Sequence, residues 1–232
     1  MNTLQCGGVD AAARSVRIAA RSLSRAGLVH AYGHVSVRLD ADTFLVCPPV
    51  PMGLVPAGVP CTRVPVRGQL PAGVLGEVRL HQSVYARRAD VGAVCRIQSP
   101  QVMALSALRR VPRARHGFGC YLAPRVALWD DVQLLRDTAA ADALADELGD
   151  GAAIVMRGNG AVVVGSSIER AVVLSWYLED AARVELEVHR AGAADSAPVI
   201  PDDEAARRAV WSGGIAERMW AHLTAADPES AP

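Results

Sequence analysis

The sequence predicts an α/β fold with helices on both faces of a sheet. Segments with helical spacing alternate with short β-rich segments along most of the chain. Of 232 residues, 51% are apolar, enough to bury a sizeable core without disulfide or metal staples. Glycine stops, serine and aspartate caps and proline-rich loops separate the segments.

Taken in order, Asp10 is expected to cap a helix running to about Arg25, with Val16, Ile18, Ala19 and Leu23 inward and Gly27 as its stop. His34-Val-Ser-Val-Arg-Leu39 alternates at period two and reads as a strand; Asp40 to Asp42 turn the chain, and Thr43 to Cys47 return it. Residues 48–60 form a proline- and glycine-rich loop, and 62–67 a short edge strand. A helix is expected over 75–88 and a buried strand over 91–97. Ser99 then caps a helix with Pro100 in its first turn. Residues 113–128 read as irregular with short strand content, and 136–148 as an alanine-rich helix ended by Gly149. Two short strands, 152–156 and 161–164, flank Arg157-Gly-Asn-Gly160. Ser166-Ser-Ile-Glu169 matches a capping box that opens a long helix to about His189. Residues 1–190 are expected to form one domain. Residues 191–232 form a linker and a helical arm, broken at Gly213-Gly214, that packs on the same domain or on a neighbouring subunit.

Composition removes several functions. Formal net charge is zero, which argues against nucleic-acid binding through phosphate neutralisation and against anionic membranes. The chain has no lysine. Schiff-base aldol chemistry, covalently held pyridoxal phosphate and a P-loop are thereby excluded. Cys6, Cys47, Cys61, Cys95 and Cys120 are scattered without a framework, which suits a reducing compartment. With no signal-like start and no apolar run of membrane-spanning length, a cytoplasmic protein is expected.

Several segments, in order, carry a resemblance. "AGLVHAYGHVSVRL", "GEVRLHQSVYARRADVGAV", "SPQVMALSAL", "AIVMRGNGAVVVGSSIERAV" and "YLEDAARVEL" resemble successive motifs of the class II aldolase/adducin family, over roughly residues 10–190. Gly-His-Val-Ser and His116-Gly117 look closest to bacterial members that include aromatic-acid decarboxylases. The resemblance implies a three-layer α/β/α sandwich around a mixed, mostly antiparallel sheet, and a tetramer. It also implies lyase chemistry on a small molecule. In active members three histidines hold a divalent metal. The matching positions here are Arg96, Gln98 and Asn159. A guanidinium cannot ligate a metal and amides are weak ligands, so neither metal nor other cofactor is expected. The family's acid/base glutamate maps to Glu77, and the histidine four residues on to His81. The small hydroxyl residues that hold a sugar phosphate are mostly lost, and no tyrosine follows Tyr177.

The catalytic candidates are Glu77, Arg96, His34 and His116, and the substrate-facing candidates are Gly33, Gln98, Asn159 and His81. Arg96 places a fixed charge where the dication would sit; it could orient a carboxylate or stabilise an oxyanion. Alternatively it fills the vacated space and locks Glu77 in an ion pair. His81 could equally be a packing residue. Cys95, adjoining Arg96 in a strand, should point to the opposite face and belong to the core. Two readings follow: a metal-independent lyase acting on a small carboxylated compound, by decarboxylation, elimination, or a related cyclisation or isomerisation; or a non-catalytic binding or assembly subunit.

Overall fold

A computed structural model describes residues 3–230, with side chains from residue 8 onward. Cys6 lies outside the described side chains; the other four cysteines are free. The helices are α1 (Thr3–Arg25), α2 (Arg79–Arg87), α3 (Pro100–Ala107), α4 (Thr138–Leu148), α5 (Ile168–Arg190), α6 (Asp202–Arg208) and α7 (Ile215–Thr224). The strands are β1 (His34–Arg38), β2 (Thr43–Val46), β3 (Thr62–Pro65), β4 (Ala93–Ile97), β5 (Ala127–Trp129), β6 (Ala153–Met156) and β7 (Ala161–Gly165).

The seven strands form one sheet in the order β3-β2-β1-β4-β7-β6-β5. Every neighbouring pair is antiparallel except β5 with β6. Pro65 ends the edge strand β3, where a missing N–H is harmless. Strands β4, β6 and β7 are almost wholly apolar and buried because helices cover both faces. On one face α2 packs against α4 and reaches Ser36 of β1. On the other lie α1 and α5, with α3 and α7 against α5. Cys95 faces Ser175 of α5, and burial pushes its thiol up to about 12, so it is a core group as expected. The result is the three-layer sandwich with a mixed, mostly antiparallel sheet.

Several local expectations are corrected. α1 begins at Thr3, so Asp10 lies inside the helix and does not cap it. The helix expected over 75–88 opens as a 3-10 turn at Gly76–Val78 and becomes α-helical at Arg79. Ser99 stands at the cap of α3 but makes no capping bond. Glu179 of α5 takes that place, accepting from the Gln101 and Val102 N–H groups at 2.9 and 3.1 Å. α5 is capped by Ser167, which accepts from the Arg170 N–H; Ser166 instead accepts from the Arg170 guanidinium. Beyond α5 the chain turns back. α7 rests on α1 and α5, and Asp227 and Glu229 pair with Arg17, Arg21 and Arg25 of α1. Among the described residues no helix is long and apolar enough to cross a membrane.

Candidate active site

The site grows from the pairing of β1 with β4. Their register sets His34 opposite Arg96 and Ser36 opposite Val94, so His34, Ser36 and Arg96 share the face covered by α2. On α2, His81 and Tyr85 are four residues apart and present one side to that face. The four groups form a chain: Tyr85 hydroxyl to Ser36 Oγ at 2.8 Å, Ser36 Oγ to His81 Nδ1 at 2.6 Å, and His81 Nε2 to His34 Nδ1 at 2.6 Å. Phe44 of β2 lies against the His81 and Tyr85 rings and excludes water. Arg38 sits over the Tyr85 ring and donates to the carbonyls of Tyr85 and Arg88, closing the C-terminal end of α2.

Burial fixes the protonation of this chain. It holds His81 down to about 3, with Arg96 adding to the effect. It lowers His34 well below its ordinary value, with His81 and Arg96 contributing. Both imidazoles are neutral at pH 7. Burial raises Tyr85 far above neutrality, so its hydroxyl keeps its proton. With Tyr85 taken as the donor to Ser36, the acceptor within reach, the rest of the order follows. Tyr85 donates to Ser36, Ser36 to His81 Nδ1, and His81 Nε2–H to His34 Nδ1. His34 is left with a proton on Nε2, a buried atom without a partner among the described residues.

Arg96 is 2% exposed. Its Nη1 donates to the carbonyl of Ile97 at 2.7 Å, and its Nε is buried without a partner among the described residues. Burial lowers its pKa, and the charge of Glu77 opposes that shift. Glu77 lies in the 3-10 turn before α2, half-buried, with Oε1 buried and unpartnered. Among the described residues no ion pair joins Glu77 to Arg96, so the locked arrangement is not the one adopted. A cavity beside His34, walled by Cys47, Val74, Leu75 and Val78, measures about 10 Å³, the room of about one water.

Gln98, just past β4, donates to Asn159 Oδ1 at 3.2 Å, leaving Asn159 Nδ2 buried and free. The turn carrying Asn159 comes this close because residue 160 is glycine: a Cβ there would stand 2.0 Å from the Ile97 carbonyl oxygen. Gly33 has a φ of +134° and packs against the Arg96 carbonyl, where a Cβ would meet oxygen at 2.9 Å. Backbone packing accounts for glycine there without a substrate.

The structure does not bring His116 to this group. Its Nε2 lies 2.9 Å from Asp180 of α5 and its Nδ1 accepts from the Gly119 N–H at 3.0 Å, on the opposite side of the sheet. Both ring nitrogens are occupied, as in a structural histidine. Two participants, Ser36 and Tyr85, escaped the sequence reading. The signal was present in the alternation of His34 with Ser36 and the i, i+4 spacing of His81 with Tyr85.

The three positions that the resemblance matches to the family's metal ligands, Arg96, Gln98 and Asn159, carry a guanidinium and two amides. Among the described residues no group of three or more His, Cys, Asp or Glu is placed to hold a metal ion. This donor set does not fit a divalent metal. What it offers is two unpartnered N–H donors, His34 Nε2 and Arg96 Nε, and one unpartnered carboxylate oxygen on Glu77.

The model of the class II aldolase and adducin N-terminal domain matches residues 14–186. A 3,4-dihydroxyphthalate decarboxylase of Arthrobacter keyseri is 26% identical over 229 residues, covering 91% of this chain and 92% of that protein. L-fuculose 1-phosphate aldolase from Glaciozyma antarctica superposes with a TM-score of 0.78 at 21% identity, covering 97% of this chain and 94% of that one. L-fuculose-1-phosphate aldolase from Thermus thermophilus gives a TM-score of 0.69 at 25% identity, covering 84% of this chain and 100% of that one.

Proposed function

The chain belongs to the class II aldolase and adducin family, and on that premise we propose that it is a metal-independent lyase acting on a small carboxylated compound. The observation that carries this reading is the set of three buried, unpartnered polar atoms on His34, Arg96 and Glu77. Leaving such atoms without partners costs about 1–3 kcal/mol each, so the arrangement is stable only if something else rewards it. A carboxylate or enolate oxygen accepting from His34 Nε2–H and Arg96 Nε–H would complete both donors. Similarity to a decarboxylase supports an aromatic carboxylate among the substrates.

In a decarboxylation the C–C bond to the leaving carboxylate breaks. Its electron pair moves into the remaining conjugated system, carbon dioxide departs, and Arg96 and His34 stabilise the oxygen on which charge gathers. Glu77 passes a proton taken from solvent to the carbon and ends as the carboxylate it began as. Elimination, or a related cyclisation or isomerisation, would use the same acid/base and the same charge. Gln98 and Asn159 would serve as hydrogen-bonding residues towards the substrate, with Asn159 Nδ2 free to donate. Entry requires the wall at Val74 and Leu75 to move outward, since the present cavity admits about one water. The protein is further proposed to be cytoplasmic and to assemble as a tetramer, which sedimentation of the purified chain tests.

The small cavity favours a second reading, a non-catalytic binding or assembly subunit. Glu77→Gln decides between them. In a preparation that turns over a carboxylated substrate, loss of turnover with unchanged thermal stability supports the lyase. Unchanged turnover removes Glu77 from the mechanism. A purified chain inactive on every aromatic carboxylate offered, yet tightly bound to a ligand-bearing paralogue, assigns it to assembly.

A further inference from the structure

On the face of the sheet opposite the Glu77–Arg96 group, α5, α7, the end of α6 and the 3-10 turn at Gly119–Leu122 enclose an open cavity of about 350 Å³. Its floor is aromatic. Phe118 stacks on Tyr177 with ring centroids 4.6 Å apart and planes 12° apart, and Tyr121 meets Tyr177 at 5.2 Å. Phe118 is 38% exposed, an unusual state for a phenylalanine held in a stack. Aliphatic side chains of α7, Met219 among them, form one wall. The rim is basic: Arg208, Arg218 and His222 line it, and among the described residues no carboxylate does.

Among the described residues neither arginine is in an ion pair. Arg208 reaches over Gly117 and lies 6.0 Å from the Tyr121 ring centroid. Arg218 has one long contact, Nε to the Gly214 carbonyl at 3.4 Å. In this respect they differ from Arg17, Arg21, Arg87, Arg88, Arg113 and Arg115, all of which hold carboxylates. Both arginines line the cavity together with Tyr177.

We infer that this cavity is a second binding site, for a flat aromatic ring that bears a carboxylate. The ring would stack on Phe118 or slot against Tyr121, and the carboxylate would take the N–H groups of Arg208 and Arg218. The volume, the apolar floor and the few convergent polar groups match a small-molecule site. This assignment stands whether or not the Glu77–Arg96 group is catalytic.

The test is calorimetry with ligand-observed NMR on the full chain, using 2-naphthoate, 2-naphthylmethanol and cyclohexanecarboxylate. Saturable binding of 2-naphthoate is expected, with the uncharged and the non-aromatic compounds at least about tenfold weaker. Equal affinity for the three, or no binding of 2-naphthoate, overturns the assignment without reference to any variant. Arg208→Gln with Arg218→Gln should weaken 2-naphthoate at least about tenfold. Met219→Trp, which fills the cavity and keeps both charges, should also remove binding. Glu77→Gln should leave it unchanged. Binding lost in Glu77→Gln but kept in the arginine variant would place the ligand at the other site. Met219→Trp that changes sedimentation but not naphthoate affinity would give this face to a second copy of the chain.

Discussion

Arg96 holds a charge in a side chain that is 2% exposed, with one carbonyl and the nearby charge of Glu77 for compensation. An incompletely paired buried charge is a net cost, and an apolar side chain of similar length removes that cost. Arg96→Met is therefore expected to stabilise the protein by about 1–4 kcal/mol while removing any activity. Urea unfolding at matched protein concentration reads the first effect. A destabilised variant would make Arg96 a structural residue. The arginine at position 96 and the glutamate at position 77 were legible in the sequence. The absence of an ion pair between Arg96 and Glu77 was not, because it depends on where the 3-10 turn carrying Glu77 comes to lie relative to β4.

At the level of elements, the tail and α1 form a latch. Arg17 and Arg21 hold Glu229 at 2.5 and 2.7 Å, and Arg21 and Arg25 hold Asp227 at 2.7 and 3.1 Å. The hydrogen bond from Arg17, ahead of the one from Arg21, brings Glu229 down to about 2 from an ordinary 4.5. A depressed acid contributes stability that is complete above 4.5 and is lost as pH falls towards 2. Glu229→Gln is expected to lower stability at pH 7 by about 1.5–3 kcal/mol, the range for hydrogen bonds to charged groups. It should also flatten the acid dependence below pH 4.5. Denaturation at pH 7 and along an acid series checks both, and a variant with wild-type acid sensitivity would sink the idea. The sequence showed helices and the Gly213-Gly214 break. It did not show the latch, whose partners lie more than 200 residues apart.

Across the whole molecule, two titration windows separate. His81 is lowered to about 3 from 6.5, and His34 is lowered strongly too. The unfolded chain takes up these protons below 6.5 and the folded chain does not, so stability is complete above 6.5 and declines as pH falls through 5. The carboxylates of the latch act only below 4.5. The urea midpoint should fall between pH 7 and pH 5, and His34→Asn with His81→Asn should reduce that fall. A midpoint flat over this interval in the wild-type chain would mean that the two imidazoles are not buried neutral.

The sequence by itself determined the alternation of helices and strands, the three-layer architecture, the break in the arm, and the arginine, glutamine and asparagine at 96, 98 and 159. Each of these is written in local periodicity, in punctuation or in the identity of one residue. Tertiary structure decided which groups meet. The β1–β4 register and the seat of α2 assemble Tyr85, Ser36, His81 and His34 into one hydrogen-bonded chain. The same packing sends His116 to the far side of the sheet, and gives the cap of α3 to Glu179, 78 residues from Gln101. Side-chain direction in a strand follows from alternation, but the partner it meets follows from which strand and helix lie alongside, and chain order alone does not fix that.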